Sequence, residues 1–465
     1  MAAPEVTAPA AELPSHLSPF TSHASSDGLR PQLGLLDATM INVGTMVGAS
    51  IFIVPSAIAG FFSGTLPSVI VWIAAGVVSL FGALCVAELG AMMPRAGGQY
   101  VYLERIYGPV WGFLYGWGAA VIINPASLAF VAVGFATYLG FFVPLAPLGI
   151  KLVAVGSLAL LTMLNCFGLK VGAVTQNVLT LIKIGAVVAF VLACFLLPGG
   201  SSANFSPAWS TEPAGALVAP FGLAMILALG AYDGWIEVSY VGSELRDPGR
   251  DMARSIVWST MLVMLLYVGV GIAAIYVLGL AGTAGSSLVA ADAMQVVLGP
   301  AGAALIAIAI LISTTGANNG IVFTAARIPY AMAREGRFFK WATRLDPVHQ
   351  SPNRVMVVQG IWASLLAVSG TYNQLLTYVV FVSFLFYALS ALGVIVLRRR
   401  EPGAARPYRT WGYPVTPVVF VAFSLYLILN TIINAPRDSL IGGVLLVAGL
   451  PVYAWCKRRY QTTEA

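Results

Sequence analysis

From about residue 34 onward the chain alternates between long apolar runs and short polar joints. Twelve runs stand out, at residues 36–60, 68–93, 109–134, 150–170, 173–198, 217–243, 255–280, 290–330, 354–370, 373–397, 414–434 and 440–456. Most approach or exceed the roughly 20 apolar residues that a helix needs to cross a bilayer. They do not alternate between apolar and polar residues with a period of two, as a membrane β-barrel strand would. Ala301 to Ile312, for example, carries no polar side chain at all. The pattern predicts an all-α polytopic membrane protein with 12 transmembrane helices.

Two of the runs are interrupted. In the first, Gly44 and Gly48 bracket Thr45-Met46-Val47, and Ala49-Ser50 follow. In the sixth, the sequence reads Leu229-Gly230-Ala231-Tyr232-Asp233-Gly234-Trp235. Unwinding a helix inside a membrane exposes backbone N–H and C=O groups, which is tolerated where they line a cavity. Matching breaks in two halves of a chain point to the binding site of a transporter. Five crossings separate them, so spans 1–5 and 6–10 are expected to form a 5+5 inverted repeat with discontinuous helices 1 and 6. The expected organisation is a cytoplasmic tail at 1–33, a ten-helix core at 34–400, two peripheral helices at 401–457 and a short tail at 458–465. The first tail is rich in Ala, Pro and Ser, lacks a signal-peptide core, and reads as disordered.

Composition agrees with this pattern. The 465 residues are 59% hydrophobic and 9% charged, against about 25% charged in soluble domains. The formal charge of +6 is explained by topology, and nucleic acid is not expected as a partner. With the N-terminus inside, 21 of the 24 Lys and Arg fall in inner segments, including Arg95, Arg246, Arg327, Arg334, Arg398 and Arg406. Positive charge accumulates on the cytoplasmic side, so both termini are expected there. Cys85, Cys166, Cys194 and Cys456 lie in or at the ends of spans and read as small buried hydrophobes, without zinc-site spacing. There is no Walker A motif, nucleophile elbow or H-E-x-x-H helix. No enzyme, cofactor or metal is expected.

The breaks themselves suggest a ligand. If span 1 unwinds, an outer half-helix begins near Ala49 to Phe52, and its free N–H groups suit a carboxylate. The inner half ends near Val43 to Met46, and its carbonyls suit an ammonium. Leu229, Gly230 and Ala231 can add further carbonyls. A zwitterion such as an α-amino acid fits both ends. Alternatively, Gly44 and Gly48 form a helix-packing face of GxxxG type. Asp233 is an intramembrane acid that either meets the substrate or caps the outgoing half-helix. Glu237 follows one turn later on the same helical face, facing an inner vestibule or a basic loop residue. Lys183 sits deep in span 5. It either snorkels to the interface or places its ammonium near the span 1 carbonyls. The polar run Ser313 to Gly320 in span 8 could meet Lys183 or the unwound backbone, or serve interhelical packing.

These residues resemble a known family. The chain is similar to bacterial LAT-type L-amino acid transporters of the amino acid–polyamine–organocation (APC) superfamily. The likeness rests on Gly44-Thr45-Met46-Val47-Gly48-Ala49-Ser50-Ile51-Phe52 and on Ala87-Glu88-Leu89-Gly90 leading into Pro94-Arg95-Ala96-Gly97-Gly98-Gln99-Tyr100. It continues through Gly112 to Trp117, Lys183, Ala231-Tyr232-Asp233-Gly234-Trp235, Glu244-Leu245-Arg246-Asp247-Pro248, Asn319-Gly320 and Ala331 to Gly336. The resemblance implies the LeuT-type fold and sodium-independent amino acid exchange in the bacterial inner membrane, with a proton-coupled symporter or a transporter-like sensor as rivals. It implies that Thr45, Met46, Gly48, Ala49, Ser50, Gly230, Ala231 and Asp233 bind substrate, and that Lys183 replaces a sodium ion. Two departures are visible. Ser50 stands where the family usually has Gly, and Gly230 where it often has a gating aromatic. A roomier pocket, or a gate from elsewhere, is expected. Residues 141–151 hold no cysteine, so no disulfide-linked heavy-chain subunit is expected.

Overall fold

In a computed structural model, the structure describes residues 29, 31–48, 50–167, 169–210, 212–370 and 372–461. Among these no β-strand forms beyond isolated bridges, and the apolar runs are helices. Backbone groups have no water to bond inside a bilayer, so intrahelical pairing is the available solution.

The helices are α1 (Leu35–Met46), α2 (Ser50–Ala59), α3 (Thr65–Met92), α4 (Gln99–Tyr107), α5 (Pro109–Gly118), α6 (Asn124–Leu139), α7 (Pro147–Asn165) and α8 (Leu169–Leu196). They continue with α9 (Val218–Tyr232), α10 (Pro248–Gly285), α11 (Val289–Ala325), α12 (Arg327–Arg334), α13 (Asn353–Ser369), α14 (Tyr372–Arg400), α15 (Val415–Asn434), α16 (Pro436–Val447) and α17 (Gly449–Gln461). Ten described segments are long and apolar enough to cross a membrane, or eleven with the bent pair α1 and α2 counted as one. The ninth predicted span corresponds to α13, a helix of only 17 residues. Outward faces are apolar where a soluble protein would be polar: Leu181 and Leu196 are 65% and 75% exposed. A lipid environment accounts for such a belt. The chain is a multi-pass membrane protein.

Local breaks follow from local chemistry. α5 and α6 form one long segment with a π-helical turn at Ala119–Ile123 between them. Pro125 has no N–H for the carbonyl of Val121, and Trp362 Nε1 donates to that oxygen at 2.8 Å instead. α11 bends at Gly299, where φ is +67°, immediately before Pro300.

The core sits where α1 packs against α8, α10 and α11, with α3 against α9 and α10. The predicted tail is partly docked. Leu29 and Leu33 are buried, and the backbone N–H groups of Gln32 and Leu33 both donate to Glu244 O. Residues 1–28, 30 and 462–465 lie outside the described residues, and residues 458–461 continue α17.

Candidate substrate site between two helix breaks

α1 ends at Met46, and α2 starts at Ser50 with its axis bent by 41°. The two residues between them that are described, Val47 and Gly48, are not helical. Ala49 lies outside the described residues. A helix end leaves its last carbonyls without partners, and three groups answer them. Lys183 Nζ from α8 donates to Gly44 O at 2.7 Å, Val47 O at 2.9 Å and Ser313 O at 2.9 Å. Ser313 Oγ also donates to Val47 O, at 2.8 Å. Tyr267 Oη from α10 lies 2.6 Å from Met46 O and 3.3 Å from Ala231 O. One hydroxyl therefore spans both breaks.

Lys183 is fully buried. It does not snorkel. An ammonium has three protons, and three carbonyls receive them. Gly316 makes this possible: a Cβ there would fall 3.0 Å from Nζ. Gly44 shows that the packing and break readings of the two glycines are both true in part. A Cβ on Gly44 would fall 1.9 Å from Gln176 Nε2, so α1 and α8 approach through it. At Gly48 the nearest atom would be Ala317 Cβ at 3.5 Å, which is ordinary contact.

The sixth span breaks differently from the expectation. α9 runs through Gly230 and Ala231 to Tyr232, so their carbonyls belong to its last turn. The chain then turns extended at Asp233, with ψ of 148°, and Gly234 takes φ of +114°. That conformation suits glycine. No outgoing α-helix follows. Residues Glu237–Tyr240 and Gly242–Glu244 form short 3₁₀ turns before α10 begins. Asp233 therefore caps no half-helix. Its Oδ1 accepts from Tyr387 Oη at 2.7 Å, and the Tyr387 ring packs at a tilt against Trp235, with centroids 4.8 Å apart.

Glu237 also differs from the expectation. It does not continue a helical face above Asp233, and no described basic residue pairs with it. The hydroxyl of Thr324 on α11 donates to its Oε2. The two breaks are tied together by Asn42, whose Oδ1 accepts from Val238 N at 2.9 Å, and by Thr45 Oγ1, which lies 3.2 Å from Gly234 O.

Between the breaks lies a small cavity of about 30 Å³. Thr45, Met46, Gly48, Ser50, Gly230, Ala231 and Asp233, all the described candidates for substrate binding, line it. Lys183 is not among its walls. Sequence reasoning missed the other walls, which include Ser127, Phe130 and Val131 of α6 and Ile321 of α11. The one available signal was Asn124-Pro125, an irregular pair in the middle of span 3.

The geometry is that of a backbone-lined socket, and comparison with known proteins gives it a family. Residues 33–454 match the family model described as amino acid permease. The chain belongs to this family, as an APC-superfamily transporter of LAT type. The human b(0,+)-type amino acid transporter 1 is 32% identical over 432 residues, which cover 91% of this chain and 88% of that protein. The serine/threonine exchanger SteT of Bacillus subtilis (strain 168) is 28% identical over 445 residues, 94% of this chain and 99% of SteT. The mouse large neutral amino acids transporter small subunit 2 is 31% identical over 458 residues, 94% of this chain and 84% of that protein. This permease is therefore a transporter and not an enzyme.

Proposed function

We propose that this permease is a sodium-independent amino acid exchanger that works by alternating access, with the substrate held between the α1/α2 and α9 breaks. The observation that carries the proposal is the position of Lys183. Its ammonium holds two carbonyls of the first break and one of α11 together, a task that a bound monovalent cation would otherwise perform. A permanent internal cation removes the need for sodium.

In this reading the substrate carboxylate meets the first N–H groups of α2, at Ser50 and at Ala49 before it. The α-ammonium meets carbonyls at the ends of α1 and α9, at Met46, Gly230 and the Asp233 backbone. Tyr267 already engages Met46 O and Ala231 O, and a carbonyl's second lone pair remains for the ligand. Phe130, across the cavity, supplies the aromatic wall that Gly230 does not. The exchanger reading draws on SteT, whose name records an exchanger. The twelve-span count, the 5+5 inverted repeat, the division at about residue 400, and both termini on the cytoplasmic side of a bacterial inner membrane belong to the same proposal. The distribution of Lys and Arg supports that orientation. The mouse relative's name marks it as a small subunit. Here Cys85, Cys194 and Cys456 are buried and Cys166 is half-buried, which supports function without a disulfide-linked partner.

The test is uptake of labelled amino acids into proteoliposomes. Exchange predicts uptake only into vesicles preloaded with amino acid, unchanged when sodium is replaced. Uptake into empty vesicles driven by an inward proton or sodium gradient would refute it.

A further inference from the structure

Two acidic residues line the cavity, and among the described residues no cation does. Asp233 and Glu237 both line it, together with the small polar Thr45, Ser50 and Ser127 and otherwise with backbone and apolar groups. No Lys, Arg or His is among the described walls. The buried cations near the breaks are already committed. Lys183 is spent on three carbonyls, and Arg327 on Glu244, with Nε 2.9 Å from Oε1 and both side chains buried. Each acid has one neutral side-chain partner, Tyr387 for Asp233 and Thr324 for Glu237.

A carboxylate at membrane depth is costly without a positive partner. A hydroxyl hydrogen bond offsets only part of that cost. Glu237 follows the turn at Gly234, its N–H donating to Gly234 O at 3.3 Å, and it is a wall of the cavity. The generic ammonium of an amino acid has the carbonyls of α1 and α9 and the Asp233 end of the break. Glu237 is left over, on the side of the cavity formed by α11, where Ile321 and Thr324 lie.

We propose that Glu237 is a specificity-determining residue that selects amino acids with a positively charged side chain, such as lysine or arginine, by supplying the counter-charge for the distal ammonium or guanidinium. The inference rests on the transport reading above. Two charges of opposite sign, both withdrawn from water, couple strongly. The side chain of a neutral amino acid offers Glu237 nothing.

The experiment compares uptake of labelled L-lysine, L-arginine, L-leucine and L-serine in proteoliposomes preloaded with a mixture of the four, for the wild type and for Glu237→Gln and Glu237→Asp. The wild type is expected to favour lysine and arginine. Glu237→Gln is expected to lower the lysine-to-leucine uptake ratio about tenfold, the scale of one lost charge-assisted hydrogen bond. Glu237→Asp, which keeps the charge, is expected to restore part of the ratio. A ratio is read so that a general loss of folded protein cancels, and competition by unlabelled lysine for leucine uptake gives a second reading on the wild type alone. A wild type that exchanges neutral amino acids, ignores lysine and keeps its ratio in Glu237→Gln would overturn the inference and leave the transport reading intact. Proton-driven uptake that disappears in Glu237→Gln would also overturn it, because the counter-charge would then be a proton. A wild type that moves none of the four would defeat the transport reading itself.

Discussion

Lys183 is the residue on which the site turns. Burying an ammonium is expensive unless each proton has an acceptor, and here three carbonyls within 2.9 Å receive them. Removing it takes the ammonium from Gly44 O in an apolar interior and leaves Val47 O with Ser313 Oγ alone. Each unsatisfied carbonyl costs roughly 1–3 kcal/mol, enough to close the break or to displace α1 from α8. Lys183→Ala is therefore expected to lower exchange at least about tenfold at equal folded protein, since 1.4 kcal/mol is a factor of ten. Initial uptake rates, normalised to monodisperse protein, check this. A near-normal rate would mean that the ammonium is dispensable. This residue was legible in the sequence because a Lys inside an apolar run is rare. Its acceptors were legible only in part. The residues of the first break were named, and Ser313 fell within a polar stretch already singled out. Tyr267 and Tyr387 were not found. A hydroxyl-bearing aromatic in an apolar span has no periodic signature, and its role lies in an atom that points across the fold.

At the scale of elements, the two breaks are made by different means. The first is a short gap between α1 and α2, with Gly44 seated tightly on α8. The second is a sharp reversal at Gly234, after which regular helix is lost until Pro248. The sequence pattern located both breaks but read the second as a helix that resumes, because Asp233 and Glu237 are spaced like residues on one helical face. A φ of +114° at Gly234 overrides that spacing. A side chain there would be strained, and its Cβ would stand 3.0 Å from Met46 N and from Thr45 Oγ1. Gly234→Ala is expected to cost about 1–3 kcal/mol and lower the thermal midpoint of the detergent-purified protein by several degrees. Gly48→Ala, with 3.5 Å to Ala317 Cβ, serves as the comparison and is expected to shift it much less. Equal shifts would show that Gly234 holds no special conformation.

At the scale of the whole molecule, one end of the bundle is locked by ion pairs and the middle by hydrogen bonds to broken helices. The Arg327–Glu244 pair is fully buried, and Glu244 O also receives the backbone of residues 32 and 33. Glu88, at the end of α3, accepts from Arg398 and lies 3.3 Å from Arg406 Nε. These pairs gather on the side that carries most of the basic residues, where the chain must open and close if the cavity is reached in turn from both faces. An all-helical membrane fold was legible from hydropathy alone, because roughly 20-residue apolar runs leave few alternatives. The walls contributed by α6 and α11 were not legible, since Phe130, Val131 and Ile321 differ in no local way from dozens of membrane-facing neighbours. The proposed function makes the cavity between the breaks a socket for the two charged ends of an amino acid. The most direct test is an experimental structure of the protein saturated with the amino acid that it exchanges fastest. The carboxylate is expected at the backbone N–H groups beginning α2 near Ser50 and the α-ammonium among the carbonyls that end α1 and α9, with Lys183 still bound to Gly44 and Val47. An amino acid found elsewhere, or a cation displacing the Lys183 ammonium, would contradict it.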